Sequence, residues 1–398
     1  MLTVDEALAR LVDGVRLTDG ERVSLAEGLR RVPVAGDVTA DIDVPPFANS
    51  AMDGFALLAA DGDAPRRLVG ESRAGGPPAP AVAAGTAVRI MTGAPLPDGA
   101  DTIVPIEEAS EGDGMVVVAD APSVGTHVRP AGLDVRRGAS VPLSRLPISA
   151  STIGLLAAIG VAHIDVRRRP RVAILSTGDE LRDVGASLGH GQIYDANGPA
   201  LAAAVTEAGG EPLVLERAPD DPDAIYGTLR SAVESADLLI ASGGVSVGEH
   251  DHVRGVIERL GTLDFWRIAV QPGKPLAFGR IGEVPVVGLP GNPVSALVTF
   301  ELFVRPMLRA MLGLAGDGRL RVSARVSEAI GKDRARRAYV RVRVERENGS
   351  YRAISAGGQG SSQLLPLASA NALLVVPEGV SATEPGVSYE TVILGGIE

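Results

Sequence analysis

The chain has 398 residues, more than one ordinary core of ~100–200 residues holds, so two to four domains are expected. It is 45% hydrophobic and 22% charged but only 3% aromatic, so its cores must rest on Val, Leu, Ile and Ala, with turns drawn from 49 Gly and 28 Pro. A formal charge of −11 disfavours nucleic acid and anionic membranes as partners, and the absence of cysteine excludes disulfides, thiolate zinc, iron–sulfur ligation and a catalytic thiol. No apolar run approaches the ~20 residues of a membrane span, neither end resembles a sorting signal, and a cytoplasmic location is expected.

Residues 3–17 have the periodicity of an amphipathic helix, with Thr3 or Asp5 near its N-cap and Val4, Leu8, Leu11, Val12 and Val15 as its apolar positions. A second short helix is predicted at 24–30. From about 37 to 142, short β-like runs at 86–91, 102–106 and 115–118 alternate with Gly/Pro clusters such as Gly75-Gly76-Pro77-Pro78, the texture of a small all-β module. A helix over 149–160 and a strand at 161–167 resemble the opening helices more than that module. A discontinuous domain with an inserted β module is therefore expected.

Residue 171 begins an alternation of strands and helices. Strands are predicted at 172–175, 212–216, 238–241 and 284–287. Helices are predicted at 198–208, capped by Asn197 and stopped by Gly209-Gly210, at 222–235, capped by Asp221, and at 251–260. A long apolar helix opens at Asn292-Pro293 and runs to about 312. Such alternation predicts a doubly wound parallel sheet. After 313–318 the chain turns β: runs at 339–345 and 351–354 flank an Asn348-Gly349 hairpin turn, and strands at 373–376 and 391–394 fit a small barrel or sandwich.

Ligands bind open parallel sheets at the carboxyl ends of their strands. Three segments lie there: Ser176-Thr177-Gly178-Asp179-Glu180, then Ser242-Gly243-Gly244-Val245-Ser246-Val247-Gly248-Glu249, then Gly288-Leu289-Pro290-Gly291-Asn292-Pro293-Val294-Ser295. Each offers small residues, exposed N–H groups and hydroxyls, which is what a phosphate needs. None is a P-loop or a dinucleotide fingerprint. One such loop alone reads as a tight βα turn; three on one sheet edge point to a site. Glu180, Asp220, Glu249 and Asp251 cluster in the loops, as the hard ligands of Mg²⁺ would, while Asp221 is better explained as a helix cap. His250 and His252 read as solvated or structural. In Gln271-Pro272-Gly273-Lys274-Pro275, two prolines and a glycine fix the backbone around one lysine, which favours an anion ligand over a chance surface turn. Asn49–Phe55 and 89–95 read as polar loops, with Arg129, Arg136 and Arg137 nearby in sequence.

The ordered motifs PPFANSAMDGFA, RIMTGAPLPDGADTIVPIE, AILSTGDEL, GQIYDANG, SGGVSVGEHDH, QPGKPLAFG and GLPGNPVSA closely resemble the MoeA/gephyrin E-domain family, the molybdopterin molybdenumtransferases. The resemblance runs from near residue 1 to 398. It implies an elongated discontinuous domain (1–45 and 140–169), an inserted β-rich domain (46–139), a doubly wound MogA-like α/β/α domain (170–314) and a C-terminal β-barrel (319–398). It further implies a homodimer in which the doubly wound domain faces the partner's second domain. The implied reaction belongs to molybdenum cofactor biosynthesis: molybdate and adenylylated molybdopterin give the cofactor and AMP, with Mg²⁺.

Carried over by motif, Asp53, Thr92, Glu180, Asp220, Asp251 and Lys274 are the catalytic candidates. Glu180, Asp220 and Asp251 would hold the metal. Substrate-binding candidates are Ser176, Thr177, Gly178, Ser242, Gly243, Gly244, Ser246, Arg267, Pro290, Gly291, Asn292, Pro293 and Ser361, and Arg337 aligns with an arginine the family uses. Two positions depart from the pattern. Gln271 stands where some relatives carry a second lysine, and Gly132-Leu133-Asp134 replaces a GED-like turn. The departures leave room for a paralogue handling tungstate. A MogA-type adenylyltransferase shares the doubly wound domain, but the residues around Asp53 and Thr92 favour the insertase, to which such an adenylyltransferase could hand its product. A non-catalytic scaffold is the remaining alternative.

Overall fold

In the computed structural model the described residues are 1–34, 36–143, 146–215, 221–243 and 252–397, the Phe265 side chain excepted. They form two compact units: Met1–Gly20 with Arg167–Glu398, and Glu21–Val166. No described helix is long and apolar enough to cross a membrane.

Helix α1 (Val4–Asp13) opens on a reciprocal cap. The Thr3 hydroxyl accepts from the Glu6 amide at 3.2 Å, and the Glu6 carboxylate accepts from the Thr3 amide at 2.8 Å. It ends at Gly14 rather than at 17, and the Thr18 amide donates to Met311 O at 2.9 Å, which ties the following segment elsewhere in the unit. The short helix predicted at 24–30 is instead a strand, Gly20–Ser24, and a single 3₁₀ turn, Ala26–Gly28. Pairing of that strand with His163–Arg167 overrides the local helical preference.

The smaller unit holds a six-stranded sheet of β1 (Gly54–Leu57), β2 (Arg66–Ser72), β3 (Thr86–Ile90), β4 (Thr102–Pro105), β5 (Ala109–Gly112) and β6 (Met115–Val118), in the order β4-β1-β3-β2-β6-β5. Only β2 and β3 run parallel. Phe55, Leu57, Ala87, Val104 and Val116 fill one core, and Ala56, Ile90, Ala94 and Ile103 another, so β1 is buried on both sides. Helix α2 (Ala150–Ala158), capped by the Ser149 hydroxyl, buries Leu156 in a separate cluster with Val141, Ile148, Ile164 and Val166.

In the larger unit, β7 (Arg171–Ser176), β8 (Leu181–Arg182), β9 (Ile193–Tyr194), α3 (Asn197–Glu207), β10 (Glu211–Val214), α4 (Pro222–Ala232), β11 (Leu238–Ser242), α5 (His252–Leu260), β12 (Thr262–Arg267), β13 (Val270–Gln271), β14 (Pro275–Ile281), β15 (Val284–Leu289) and α6 (Pro293–Thr299) build the α/β region. Its sheet runs β10-β7-β11-β15-β14-β12. The first four strands are parallel; β14 pairs antiparallel with both β15 and β12, so β12 runs in the direction of the first four. Sequence reading missed β12 and β14; β12 follows α5 directly, and β14 pairs back against β12 and β15 with no helix between it and either. The double winding itself is borne out. Val172 and Ile174 pack with Leu201 and Val205 of α3, while Ala173 and Leu175 pack with Ile225 and Leu229 of α4 and Val256 of α5.

The long helix is three pieces: α6, a five-residue π-helical segment Phe300–Val304, and α7 (Arg305–Met311). Strands β16 (Arg321–Val326), β17 (Arg337–Glu347), β18 (Ser350–Ser355), β19 (Ala372–Val376) and β20 (Ser388–Ile393), with the short helix Leu364–Ala368 before β19, follow. The order β17-β18-β16-β20-β19 closes back on β17, a five-stranded barrel around Val326, Val342, Val344 and Leu374. The expected Asn348-Gly349 turn links β17 and β18 with positive φ at both residues (48° and 78°), as a two-residue hairpin requires.

Two glycines in the smaller unit should respond oppositely to alanine. A Cβ on Gly54 would lie 2.0 Å from Val104 O of the neighbouring strand, whereas Gly154 sits in α2 with nothing within 4 Å. Urea titration of the full chain should show Gly54→Ala lowering stability by roughly 2 kcal/mol or more, and Gly154→Ala raising it by about 1 kcal/mol. Equal midpoints would contradict this packing.

Candidate active site

Parallel register brings the predicted loops together. Ser176 pairs with Ser242, and Ser242 with Leu289, so β7, β11 and β15 end on one line. The loops leaving that line are tightly apposed. A Cβ on Gly243, whose φ is +83°, would lie 2.8 Å from Thr177 O, and one on Gly291 would lie 3.7 Å from the Gly243 Cα.

Asn197 joins the loops, in a way that differs from its expected role as a cap. It is the first helical residue of α3, and the capping group is Asp195, whose Oδ1 accepts from the Asn197 and Gly198 amides, each at 3.0 Å. Freed from capping, the Asn197 Nδ2 donates to Ser242 Oγ and to Gly291 O, both at 2.8 Å. A carbonyl can only accept, so the orientation of the amide is fixed and its Oδ1 points away from these bonds. Asp221 does occupy the N-cap of α4, but its side chain makes no capping bond.

A cavity of about 560 Å³ lies at this edge, lined by Ser176, Thr177, Glu180, Asn197, Ser242, Gly243, Gly291, Asn292 and Pro293. Leu181, Ile193, Tyr194, Asp195, Ala196 and Ser362 complete it. Ser176 Oγ, Thr177 Oγ1 and Asn197 Oδ1 are buried and have no hydrogen-bond partner among the described residues. The Glu180 carboxylate folds back over Gly178: a Cβ there, at φ +146°, would lie 2.6 Å from Glu180 Oε2. That carboxylate is exposed and makes no hydrogen bond or ion pair with a described residue. Tyr194, Asp195 and Asn197 were not singled out as site residues in the sequence, although the GQIYDANG motif contains all three.

Ser361 reaches this edge from the barrel. Its carbonyl accepts from the Val294 amide at 3.1 Å, and its hydroxyl from Asn292 Nδ2 at 3.2 Å. The first free amide of α6 is thereby occupied, which narrows the phosphate cradle expected at that helix start. The loop bearing Ser361 is held by Arg341, fully buried, whose Nη2 donates to Gly358 O and Gly360 O at 3.1 Å each. Arg337 lies elsewhere. It makes two 3.0 Å bonds to the Asp5 carboxylate, lines a different cavity beside α1, and this pairing raises its pKa.

Lys274 and Arg267 sit at the same sheet edge by register, Arg267 opposite Pro275 and Ala277 opposite Gly288, and both are exposed, but neither lines the cavity. Gly273, at φ +100°, fits only without a side chain, since a Cβ would lie 2.2 Å from Thr299 Cγ2. Gln271 turns away from anion chemistry: its Oε1 accepts from the Asp333 amide at 2.9 Å. Leu133 is exposed in a turn whose Gly132 and Asp134 amides bond to Pro45 O and Val44 O. Pro290 directly precedes the lining residue Gly291. Asp220, Gly244, Ser246 and Asp251 lie outside the described residues, and no cluster of three potential metal ligands occurs among those described.

In the smaller unit, Asp53 and Thr92 form a pair. Asp53 Oδ1 accepts from the Thr92 amide at 2.6 Å and from its hydroxyl at 2.7 Å. The loops are fixed by Gly93 N donating to Ser50 O at 2.8 Å and Ser50 N to Ala94 O at 3.1 Å. The two bonds from Thr92, the backbone one first, stabilise the charged form and hold the Asp53 carboxyl below its ordinary pKa. Thr92→Val removes the hydroxyl bond and keeps the amide. The Asp53 pKa, followed by carboxyl NMR, should therefore move part of the way up, and any function needing the ionised form should be lost at a higher pH than in the parent. An unchanged titration would show that the hydroxyl bond is not made in solution.

Residues 2–160 match the family described as MoeA N-terminal region (domain I and II), residues 173–310 that described as probable molybdopterin binding domain, and residues 323–393 that described as MoeA C-terminal region (domain IV). Among similar proteins, molybdopterin molybdenumtransferase 2 of Mycobacterium tuberculosis is 39% identical over 375 residues, spanning 90% of this chain and 91% of that one. The molybdopterin molybdenumtransferase of Haemophilus influenzae is 38% identical over 317 residues, spanning 79% and 78%. A solved structure of a molybdopterin biosynthesis MoeA protein from Pyrococcus horikosii superposes with a TM-score of 0.83 at 32% identity, covering 100% of both chains. Matches to all three regions in order, and similarity to these relatives over most of its length, make the chain a member of the MoeA family.

Proposed function

We propose that this protein is a molybdenum insertase, transferring molybdate to adenylylated molybdopterin with release of AMP. It works with Mg²⁺ as a cytoplasmic homodimer of four-domain subunits and receives its substrate from a MogA-type adenylyltransferase. The observation that carries the reading is the cavity at the β7, β11 and β15 ends, where Ser176 Oγ, Thr177 Oγ1 and Asn197 Oδ1 are buried without partners among the described residues. An unpaired buried polar group costs ~1–3 kcal/mol, which a polar ligand would offset.

The Ser176 and Thr177 hydroxyls donate to phosphate oxygens, and Gly243 lets the backbone approach them closely. Lys274 and Arg267 draw molybdate to the same edge against a chain charge of −11. Ionised Asp53, oriented by Thr92, accepts a hydrogen bond from a reacting group. The donor set suits Mg²⁺, which takes one or two carboxylates together with waters and substrate oxygens: Glu180 is exposed beside the cavity, and its carboxylate has no bond to a described residue. Asp220 and Asp251 would join it. When bound, the ion supplies positive charge that offsets the phosphate oxygens. Positioning and charge neutralisation carry the rate.

AMP release from adenylylated molybdopterin in Mg²⁺ should require molybdate. Glu180→Gln and Asp251→Asn should each lower kcat by about tenfold or more. Normal turnover of Asp251→Asn at saturating Mg²⁺ would remove that residue from the metal site. Release with tungstate alone would mark a paralogue.

A further inference from the structure

We infer that Tyr194 is the stacking platform for a planar nitrogen heterocycle of the bound substrate, adenine or pterin. The inference rests on the insertase reading for the ligand and on the cavity for the residue.

The lining of the cavity divides by chemistry. Ser176, Thr177, Asn197 and Ser242 give hydrogen-bonding groups, whereas Leu181, Ile193 and Tyr194 give apolar surface. The ligand must match both kinds. Ser176 and Thr177 are each only 7% exposed, and their hydroxyls lack partners among the described residues, so they call for the polar part of such a ligand. The apolar part has to meet Leu181, Ile193 and Tyr194.

Tyr194 is placed for that role. The chain has only 12 aromatic residues (6 Phe, 5 Tyr and 1 Trp), and most of its cores are aliphatic. Of the five tyrosines, Tyr194 is the only exposed one, at 43%. Its hydroxyl donates to Ala186 O at 2.9 Å, which fixes the ring at its far end. Its backbone is fixed on both sides: β9 pairs in parallel with β8, the Ile193 amide donates to Glu180 O at 2.8 Å, and the Asp195 amide donates to Arg182 O at 2.9 Å. The next residue, Asp195, caps α3. A ring held this way loses little freedom on binding, and stacking against it discriminates planar heterocycles from non-planar groups.

The test measures binding of three probes by calorimetry: AMP, ribose 5-phosphate and 6-hydroxymethylpterin. The proteins are the full-length parent, Tyr194→Ala and Tyr194→Phe. Tyr194→Ala should weaken AMP or the pterin by roughly five- to a hundredfold, the range that loss of one stacked base gives. Ribose 5-phosphate affinity should stay within about twofold, and Tyr194→Phe, which keeps the ring, should retain most heterocycle affinity. Which probe suffers tells which heterocycle Tyr194 holds, and either result supports the inference. Heterocycle affinities unchanged in Tyr194→Ala, equal losses for ribose 5-phosphate, or no heterocycle binding by the parent would each overturn it. Molybdate-dependent AMP release by the parent, assayed alongside, separates the two claims. Release with an inert Tyr194→Ala sinks the stacking role alone, whereas no release sinks the insertase reading and leaves the binding result to decide the role of Tyr194.

Discussion

The register of three parallel strands is the constraint on which this site depends. Ser176, Ser242 and Leu289 lie side by side, so the loops that follow must all leave from one line. In a parallel sheet such crowding is unavoidable, because every strand ends at the same edge. Glycine relieves it where backbones meet: a Cβ on Gly243 would press on Thr177 O, and one on Gly198 would come within 2.7 Å of Asp195 Oδ2. Asn197 then converts proximity into a fixed arrangement, its Nδ2 holding the β11 and β15 loops at once from the first turn of α3. It can do so only because Asp195 has taken over the capping of that helix.

What marks this edge is that its unpaired buried polar atoms line a cavity. Elsewhere, buried polar side chains make structural bonds, although Asn49 Oδ1, Arg66 Nε, Arg305 Nη1 and Arg341 Nε also lack a partner among the described residues. Arg66 donates to Ala64 O and Gly62 O, Arg341 to Gly358 O and Gly360 O, and Thr299 to Ser295 O. At the cavity, Ser176 Oγ, Thr177 Oγ1 and Asn197 Oδ1 go unpaired among the described residues. Departures from local satisfaction concentrate at functional sites, where a ligand completes the bonding. Charge follows the same logic. A chain of −11 has to gather cations where an oxoanion is handled, and β12 and β14, joined to the sheet by antiparallel pairing, bring Arg267 and Lys274 to this edge.

Much of this was legible in the sequence, for identifiable reasons. Periodicity and β-propensity marked the parallel strands and their helices, and the Asn348-Gly349 turn marked the barrel hairpin, because these signals are local. The Ser-Thr-Gly, Ser-Gly-Gly and Pro-Gly-Asn-Pro segments were recognisable as ligand loops because they follow predicted strands. What stayed hidden depends on partners distant in the chain. Asn197 looks like a cap until the helix start is seen to belong to Asp195. Arg337 and Arg341 lie four residues apart on β17, and only the fold shows that one pairs with Asp5 while the other holds the loop of Ser361. Strands β12 and β14 were missed although α5 leads directly into β12; β14 pairs back between β12 and β15, and no helix separates it from either.

Composition narrows the ways this chain can hold reactive groups. Without cysteine and with few aromatics, it has hydroxyls, carboxylates, amides, the cations of Lys and Arg, five His and backbone groups to work with. The two places where candidate residues cluster use the same device, a carboxylate that accepts two hydrogen bonds from an adjoining segment. Asp53 accepts from the Thr92 amide and hydroxyl across 39 positions of sequence, and Asp195 from two amides at the start of α3. In the first, the bonds keep a solvent-facing acid ionised and oriented. In the second, they release an asparagine to join two loops. Bonds to an ionised carboxylate are stronger than neutral ones, and pairing two of them on one oxygen fixes the orientation of the acid as well as its charge. Tyr194 fits the same economy: the one tyrosine left exposed is fastened at its hydroxyl and through the backbone amides on either side of it, so that its ring face remains the part free to meet a ligand.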